Sequence, residues 1–156
     1  MRVHICAVGR LRGGHEADLV TDYTVRFNRT GRGLGLGPLK SVEVEDRKNG
    51  GKTAEAQLLR KAMPSGATLC CLDERGTSET SVNFAARLAR WRDNGTSDLT
   101  FIIGGADGLA HDLRDEADHL LSFGKMVWPH MLVRVMLTEQ LYRAASILAG
   151  SPYHRA

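Results

Sequence analysis

Cysteine is scarce in this chain. There are three in 156 residues, Cys6, Cys70 and Cys71. An odd count with no C-x-x-C pair excludes a disulfide framework and a redox motif, and each cysteine lies in an apolar, strand-like run. Buried, reduced thiols in a reducing cytoplasm are expected. Long apolar runs are missing too: none reaches the roughly 18–20 residues that cross a bilayer. The opening Met1-Arg2-Val3-His4-Ile5-Cys6 has no signal-peptide apolar region, so a soluble, unexported, cytoplasmic protein is expected. The six histidines fall in no metal-ligand spacing, and no metal site is expected. Charge of one sign is also limited, at 21 Lys and Arg against 18 Asp and Glu, net +3. It is unevenly spread. Residues 1–60 carry 11 basic against 7 acidic side chains, residues 61–121 carry 6 against 10, and residues 122–156 carry 4 against 1. That bias permits a phosphate-rich partner without requiring one.

What is present suits one domain spanning 1–156. Hydrophobic residues make up 42% and charged residues 25%, close to the globular average. Strand patterns are read over Arg2–Val8, Leu39–Glu45, Ala67–Leu72, Leu99–Ile103 and Leu120–Phe123. Helical patterns are read over Glu16–Arg29, Thr53–Met63, Ser81–Arg92, His111–Ala117 and residues 131–148. Thr30–Pro38, with Gly at 31, 33, 35 and 37, reads as a mobile loop. Alternating strands and helices predict an α/β fold with a parallel sheet flanked by helices. The last helix is apolar nearly all round, and a second subunit is its expected cover.

Several short motifs bear on chemistry. Gly51-Lys52-Thr53 resembles the end of a phosphate-binding P-loop, but Asp46 stands where that motif needs a Gly, which excludes it. Gly104-Gly105-Ala106-Asp107-Gly108 follows a buried strand and would let a backbone approach a ligand closely. Gly105 is expected to need a positive φ, so that Gly105→Val would block the ligand. Leu72-Asp73-Glu74-Arg75-Gly76 ends another strand, where the acids read either as catalytic groups or as a local ion pair with Arg75. His130 and Arg134 are four apart and share a helix face. A histidine beside a cation is poised toward its neutral form, which suits a base. The tail Pro152-Tyr153-His154-Arg155 combines an aromatic, a titratable ring and a cation, a set that can stack on a base and hold phosphate.

Together these pieces resemble the RlmH family of SPOUT-class methyltransferases. The matching residues are Ala7-Val8-Gly9-Arg10-Leu11, Tyr23 with Arg26-Phe27, Leu72–Gly76, and Phe101–Leu109. They continue with Leu121-Ser122, Lys125-Met126, Pro129-His130, Leu132-Val133-Arg134, Glu139–Arg143 and Pro152-Tyr153-His154. The resemblance implies a C-terminal trefoil knot over roughly 67–156 and a homodimer packed through it. It implies S-adenosylmethionine as cofactor, bound by Leu72, Gly104, Gly105, Phe123, Gly124, Lys125, Met126, Val127, Trp128 and Pro129. It also implies methylation of N3 of a pseudouridine in 23S ribosomal RNA, with the assembled ribosome as substrate. Removing the N3 proton needs a base or a cation to hold the developing anion. His130 and His154 are the candidate bases, with Arg134, Arg143 and Arg155 the candidate cations. Tyr153, His154, Arg155 and Arg143 are expected to meet RNA. The competing expectation is a ribosome-associated binding protein with the same fold and no chemistry.

Overall fold

A computed structural model describes residues 1–155. The elements run β1 (Arg2–Val8), α1 (His15–Gly31), β2 (Leu39–Val44), α2 (Gly51–Ala62), β3 (Thr68–Ser78), α3 (Ser81–Asp93), β4 (Asp98–Ile103), α4 (His111–Asp115), β5 (His119–Ser122) and α5 (His130–Leu148). The five strands form one parallel sheet in the order β2-β1-β4-β3-β5. Interior β1 pairs on both sides, Val3 standing opposite Leu39 and Leu99. Strand side chains alternate between faces, so both faces need an apolar cover. Val3, Ile5, Phe101 and Ile103 point to the side of Phe27 on α1, Leu88 on α3, and Leu137 and Leu141 on α5. Cys6, Val8, Cys71 and Ile102 point to the side of Ala56 and Leu59 on α2 and Leu113 on α4. All three thiols are free and buried, and burial raises Cys6 to about 11 and Cys71 to about 12.

The sequence pattern differs from the structure in three places. The glycine-rich stretch expected as a mobile loop is instead tied down. α1 continues to Gly31, and a 3-10 turn covers Arg32–Leu34. Leu36 is buried beneath it, and the Met1 ammonium donates to the Gly35 carbonyl at 2.8 Å. A Cβ at Gly31 would lie 2.6 Å from the Leu36 carbonyl oxygen, so the glycine buys a close approach rather than freedom. Second, β3 does not stop at Leu72. It leaves the ladder at Asp73–Gly76 and rejoins β5 at Thr77, so that both Leu72 and Thr77 register with Leu121. It then hands over to α3, whose N-cap Thr80 accepts from the Asn83 N–H. Third, α5 finds most of its cover within the chain. It packs against both α1 and α3, and Leu137, Leu141, Ala144 and Ala145 are fully buried. Residues 123–129 carry the chain from edge strand β5 to α5, which lies against both α1 and α3.

Candidate active site

The C-terminal ends of β3, β4 and β5 and the start of α5 enclose a cleft of about 360 Å3. Open α/β sheets place ligands at this end of their strands. Three chain segments make the walls. The first is the Asp73–Gly76 excursion. Its polar residues leave the ladder, Asp73 closes the turn by accepting the Arg75 N–H at 2.9 Å, and Gly76 returns the chain against β5. A Cβ at Gly76 would meet the backbone of Leu120 at 2.7 Å, so only glycine fits. The second is the turn after β4. Gly108 N donates to the Gly105 carbonyl at 3.0 Å, and a Cβ at Gly104 would lie 2.8 Å from the Gly108 carbonyl carbon. The third is residues 123–128, where Gly124 takes φ +111° and its N–H meets the Ser122 hydroxyl at 3.1 Å.

Leu72, Gly104, Gly105, Phe123, Gly124, Met126, Val127 and Trp128 all line the cleft; Lys125 and Pro129 do not. The expectation for Gly105 is corrected. Its φ is not positive; within that turn the positive φ belongs to Gly108, at +76°. A Cβ at Gly105 would point to Val8 at 3.2 Å and to the Glu55 carboxylate at 3.4 Å, behind the wall rather than into the cleft. Gly104 is the position that admits no side chain.

His130 opens α5 directly after Pro129 and lines the cleft. Its pKa lies below the usual histidine value, first because burial disfavours the cation and second because Arg134 is near. Arg134, one turn later, is buried. Its Nη2 donates to the carbonyls of Val8 at 2.7 Å and Gly9 at 2.6 Å, and its Nη1 to Glu43 Oε2 at 2.7 Å. The arginine therefore staples α5 to the end of β1 and does not line the cleft.

The tail residues gather elsewhere. Tyr153 donates to Glu139 Oε1 at 2.9 Å and packs at a tilt against Tyr142, ring centroids 4.5 Å apart and planes at 54°. Arg143 lies 4.8 Å over the Tyr153 ring and 3.4 Å from His154 Nδ1. Arg143, Tyr153 and His154 are thus brought near one another, and neither they nor Arg155 line the cleft of their own chain. The cleft also holds residues that sequence reasoning gave no site role, Lys52, Asp107 and Arg114. Lys52 was legible only as part of a failed P-loop. Glu43, which fixes Arg134, carries no sequence signal, because it sits in an exposed alternating strand. Among the described residues no cluster of three or more His, Cys, Asp or Glu could hold a metal ion.

Comparison with known proteins agrees with this architecture. The family described as "Predicted SPOUT methyltransferase" matches residues 1–154. The proteins named ribosomal RNA large subunit methyltransferase H of Dinoroseobacter shibae and Roseobacter denitrificans are each 68% identical over 155 residues, 99% of this chain and of theirs. Among solved structures, a probable methyltransferase from Bordetella pertussis Tohama I aligns with a TM-score of 0.51 at 16% identity. It covers 92% of this chain and 96% of that one, a likeness of fold alone. The chain belongs to the SPOUT methyltransferases, within the family of ribosomal RNA large subunit methyltransferase H.

Proposed function

We propose that this protein transfers the methyl group of S-adenosylmethionine to N3 of a pseudouridine in 23S ribosomal RNA, as a cytoplasmic homodimer acting on the large subunit or assembled ribosome. One observation carries the reading. A histidine held toward its neutral form stands on the wall of a cleft at the strand ends, in a chain 68% identical throughout to relatives bearing an rRNA methyltransferase name.

The cleft's chemistry fits the cofactor. Leu72, Ile103, Leu109, Leu121 and Val133 form an apolar wall suited to an adenine ring. Asp73, Glu74 and Asp107 supply carboxylates for ribose hydroxyls and a cationic centre, and Lys52, Arg75 and Arg114 supply cations for a carboxylate. The bound cofactor supplies an electrophilic methyl group. The acceptor N3–H is a weakly acidic imide, and a nearby neutral imidazole takes its proton. His130 fills that role from the cleft. Arg134 is a positioning residue: held by three acceptors, it fixes the His130 helix against β1 and disfavours the imidazolium. Tyr153, His154, Arg155 and Arg143 serve the RNA, and they reach it from the partner subunit. Met126, Val127, Trp128, Met131 and Leu132 leave apolar surface exposed at the start of α5, which a second copy covers. The knot implied over 67–156 would take in the 123–129 connection between β5 and α5.

Calorimetry with S-adenosylmethionine, ATP and NAD, followed by transfer of labelled methyl to unmodified ribosomes, tests the reading. Binding of S-adenosylmethionine and labelling of rRNA are expected. Binding of ATP or NAD alone overturns it, and cofactor binding without transfer favours a non-catalytic ribosome-associated protein.

A further inference from the structure

The ends of β1 and β2 carry a charged feature outside the cleft. Arg10 and Arg12, in the loop after β1, and Arg47, in the loop after β2, converge on one carboxylate, Glu45. Their nitrogens lie 3.4, 3.4 and 4.0 Å from it, looser than the roughly 2.7–2.9 Å of a closed charge-assisted bond. All three side chains remain more than half exposed. Asp46 does not relieve them, because its carboxylate closes its own loop on the N–H groups of Lys48 and Gly50. Together the two loops hold Arg10, Arg12, Arg47 and Lys48 against Glu45 and Asp46, so positive charge is in excess. Loose surface ion pairs stabilise a fold very little. Holding three guanidiniums around one carboxylate costs repulsion that a second anion would relieve.

The loops are anchored at their roots. Arg134 clamps the Val8 and Gly9 carbonyls, Gly9 N donates to the Val44 carbonyl at 2.8 Å, and Leu11 N donates to Glu43 at 2.6 Å. The arginines are therefore long arms on a fixed base. That base adjoins the cleft: a Cβ at Gly9 would lie 3.7 Å from Nε2 of His130, a residue of the cleft wall.

We infer that Arg10, Arg12 and Arg47 form a phosphate cradle that grips the backbone of the RNA substrate and lays it across the mouth of the cleft. The inference rests on the rRNA reading above. A guanidinium fork matches phosphate oxygens, and phosphate contacts fix register without needing apolar anchors. The cradle offers none: its remaining lining is Asp46 and Asn49, which is poor ground for a peptide.

The test compares wild type with an Arg12→Gln/Arg47→Gln double variant and with Glu45→Gln. The double variant is expected to raise KM for unmodified ribosomes about tenfold or more and to flatten the log–log salt dependence of RNA binding by about one to two. Its kcat and its affinity for S-adenosylmethionine should stay within about twofold of wild type. Glu45→Gln should lower KM and steepen the salt dependence, the opposite of what loss of a merely structural ion pair would do. Arg12→Lys/Arg47→Lys should recover most of the lost affinity. An unchanged KM and salt slope in the double variant overturns the inference, as does joint loss of cofactor binding. If protein-free rRNA binds wild type and double variant equally while KM on ribosomes rises, the arginines face a ribosomal protein and the inference is wrong. Failure of the wild type itself to methylate ribosomes sinks the underlying reading, and the cradle with it.

Discussion

His130 is held toward its neutral form by two effects of the same sign. Burial at the cleft wall disfavours the imidazolium, and the Arg134 guanidinium repels it. His119, packed edge-on against Trp91, is lowered first by burial and then by Arg87. For a histidine whose folded pKa is depressed, the unfolded chain takes up the proton first as pH falls. Stability is therefore full above the unfolded value of about 6.5 and declines as pH drops through it. In the proposed mechanism the rate follows the folded pKa instead. The acid limb of methyl transfer should lie below about 6.5 in wild type and disappear in His130→Gln, which should transfer methyl about a hundredfold slower or worse while still binding cofactor. A pH–rate profile checks this; an acid limb at or above the ordinary histidine value would assign the base elsewhere. That His130 and Arg134 share a face was legible from their spacing. That Arg134 is spent on the carbonyls of Val8 and Gly9 was not, because periodicity gives a face and not the partners brought to it from 126 and 125 residues away.

The Asp73–Gly76 excursion shows the same limit for an element. Ala67–Leu72 reads as a strand because its residues are apolar, and the pattern ends where polar residues begin. Those residues bulge out of the ladder and form a cleft wall, and the strand resumes at Thr77. Nothing in the spacing signals the resumption, since its partner β5 is short and 44 residues distant, Thr77 pairing with Leu121. The five strands and five helices were legible because each carries its own period or a short apolar run, and the parallel sheet followed from their alternation. The tied-down glycine segment was not, because Gly31 acts through contact with Leu36, which sequence does not display. Gly76 offers a test of the bulge. A Cβ there would sit 2.7–2.8 Å from the backbone of Leu120 and Leu121, so β5 must move to admit it. Gly76→Ala should cost roughly 1–3 kcal/mol of stability, the range for overpacking, and weaken cofactor binding by shifting Asp73 and Arg75. Urea unfolding and calorimetry on one preparation measure both; an unchanged midpoint would mean that the edge strand yields freely.

At the scale of the whole molecule, the apolar girth of α5 pointed to a second subunit, yet α1 and α3 supply most of its cover. Leu137 is fully buried, so a charge there would unfold the chain rather than split a dimer. What remains exposed is the start of the helix and the loop before it, with Met126, Val127, Trp128, Met131 and Leu132. In the proposed homodimer a two-fold contact through that patch would be self-complementary, each chain meeting the same surface on the other. That proposed contact would also account for the placement of the tail. Arg143, Tyr153 and His154 lie together near Glu139, and none lines the cleft of its own chain. If they serve the reaction, they do so at the partner's cleft. Deleting residues 152–156 should then abolish methyl transfer while cofactor affinity stays near wild type. Loss of the Tyr153 contacts with Tyr142 and Glu139 should lower the melting temperature modestly. Mixing supplies the stronger check. Truncated chains keep His130 and lack the tail, and His130→Gln chains keep the tail and lack the base. Each is inactive alone, but a mixed dimer contains one site with His130 from one chain and the tail from the other. After subunit exchange at equal concentrations, random pairing should restore about a quarter of the wild-type sites. No recovery would place the tail's action within its own chain, and full transfer by the truncated protein alone would show that the tail has no part in the reaction.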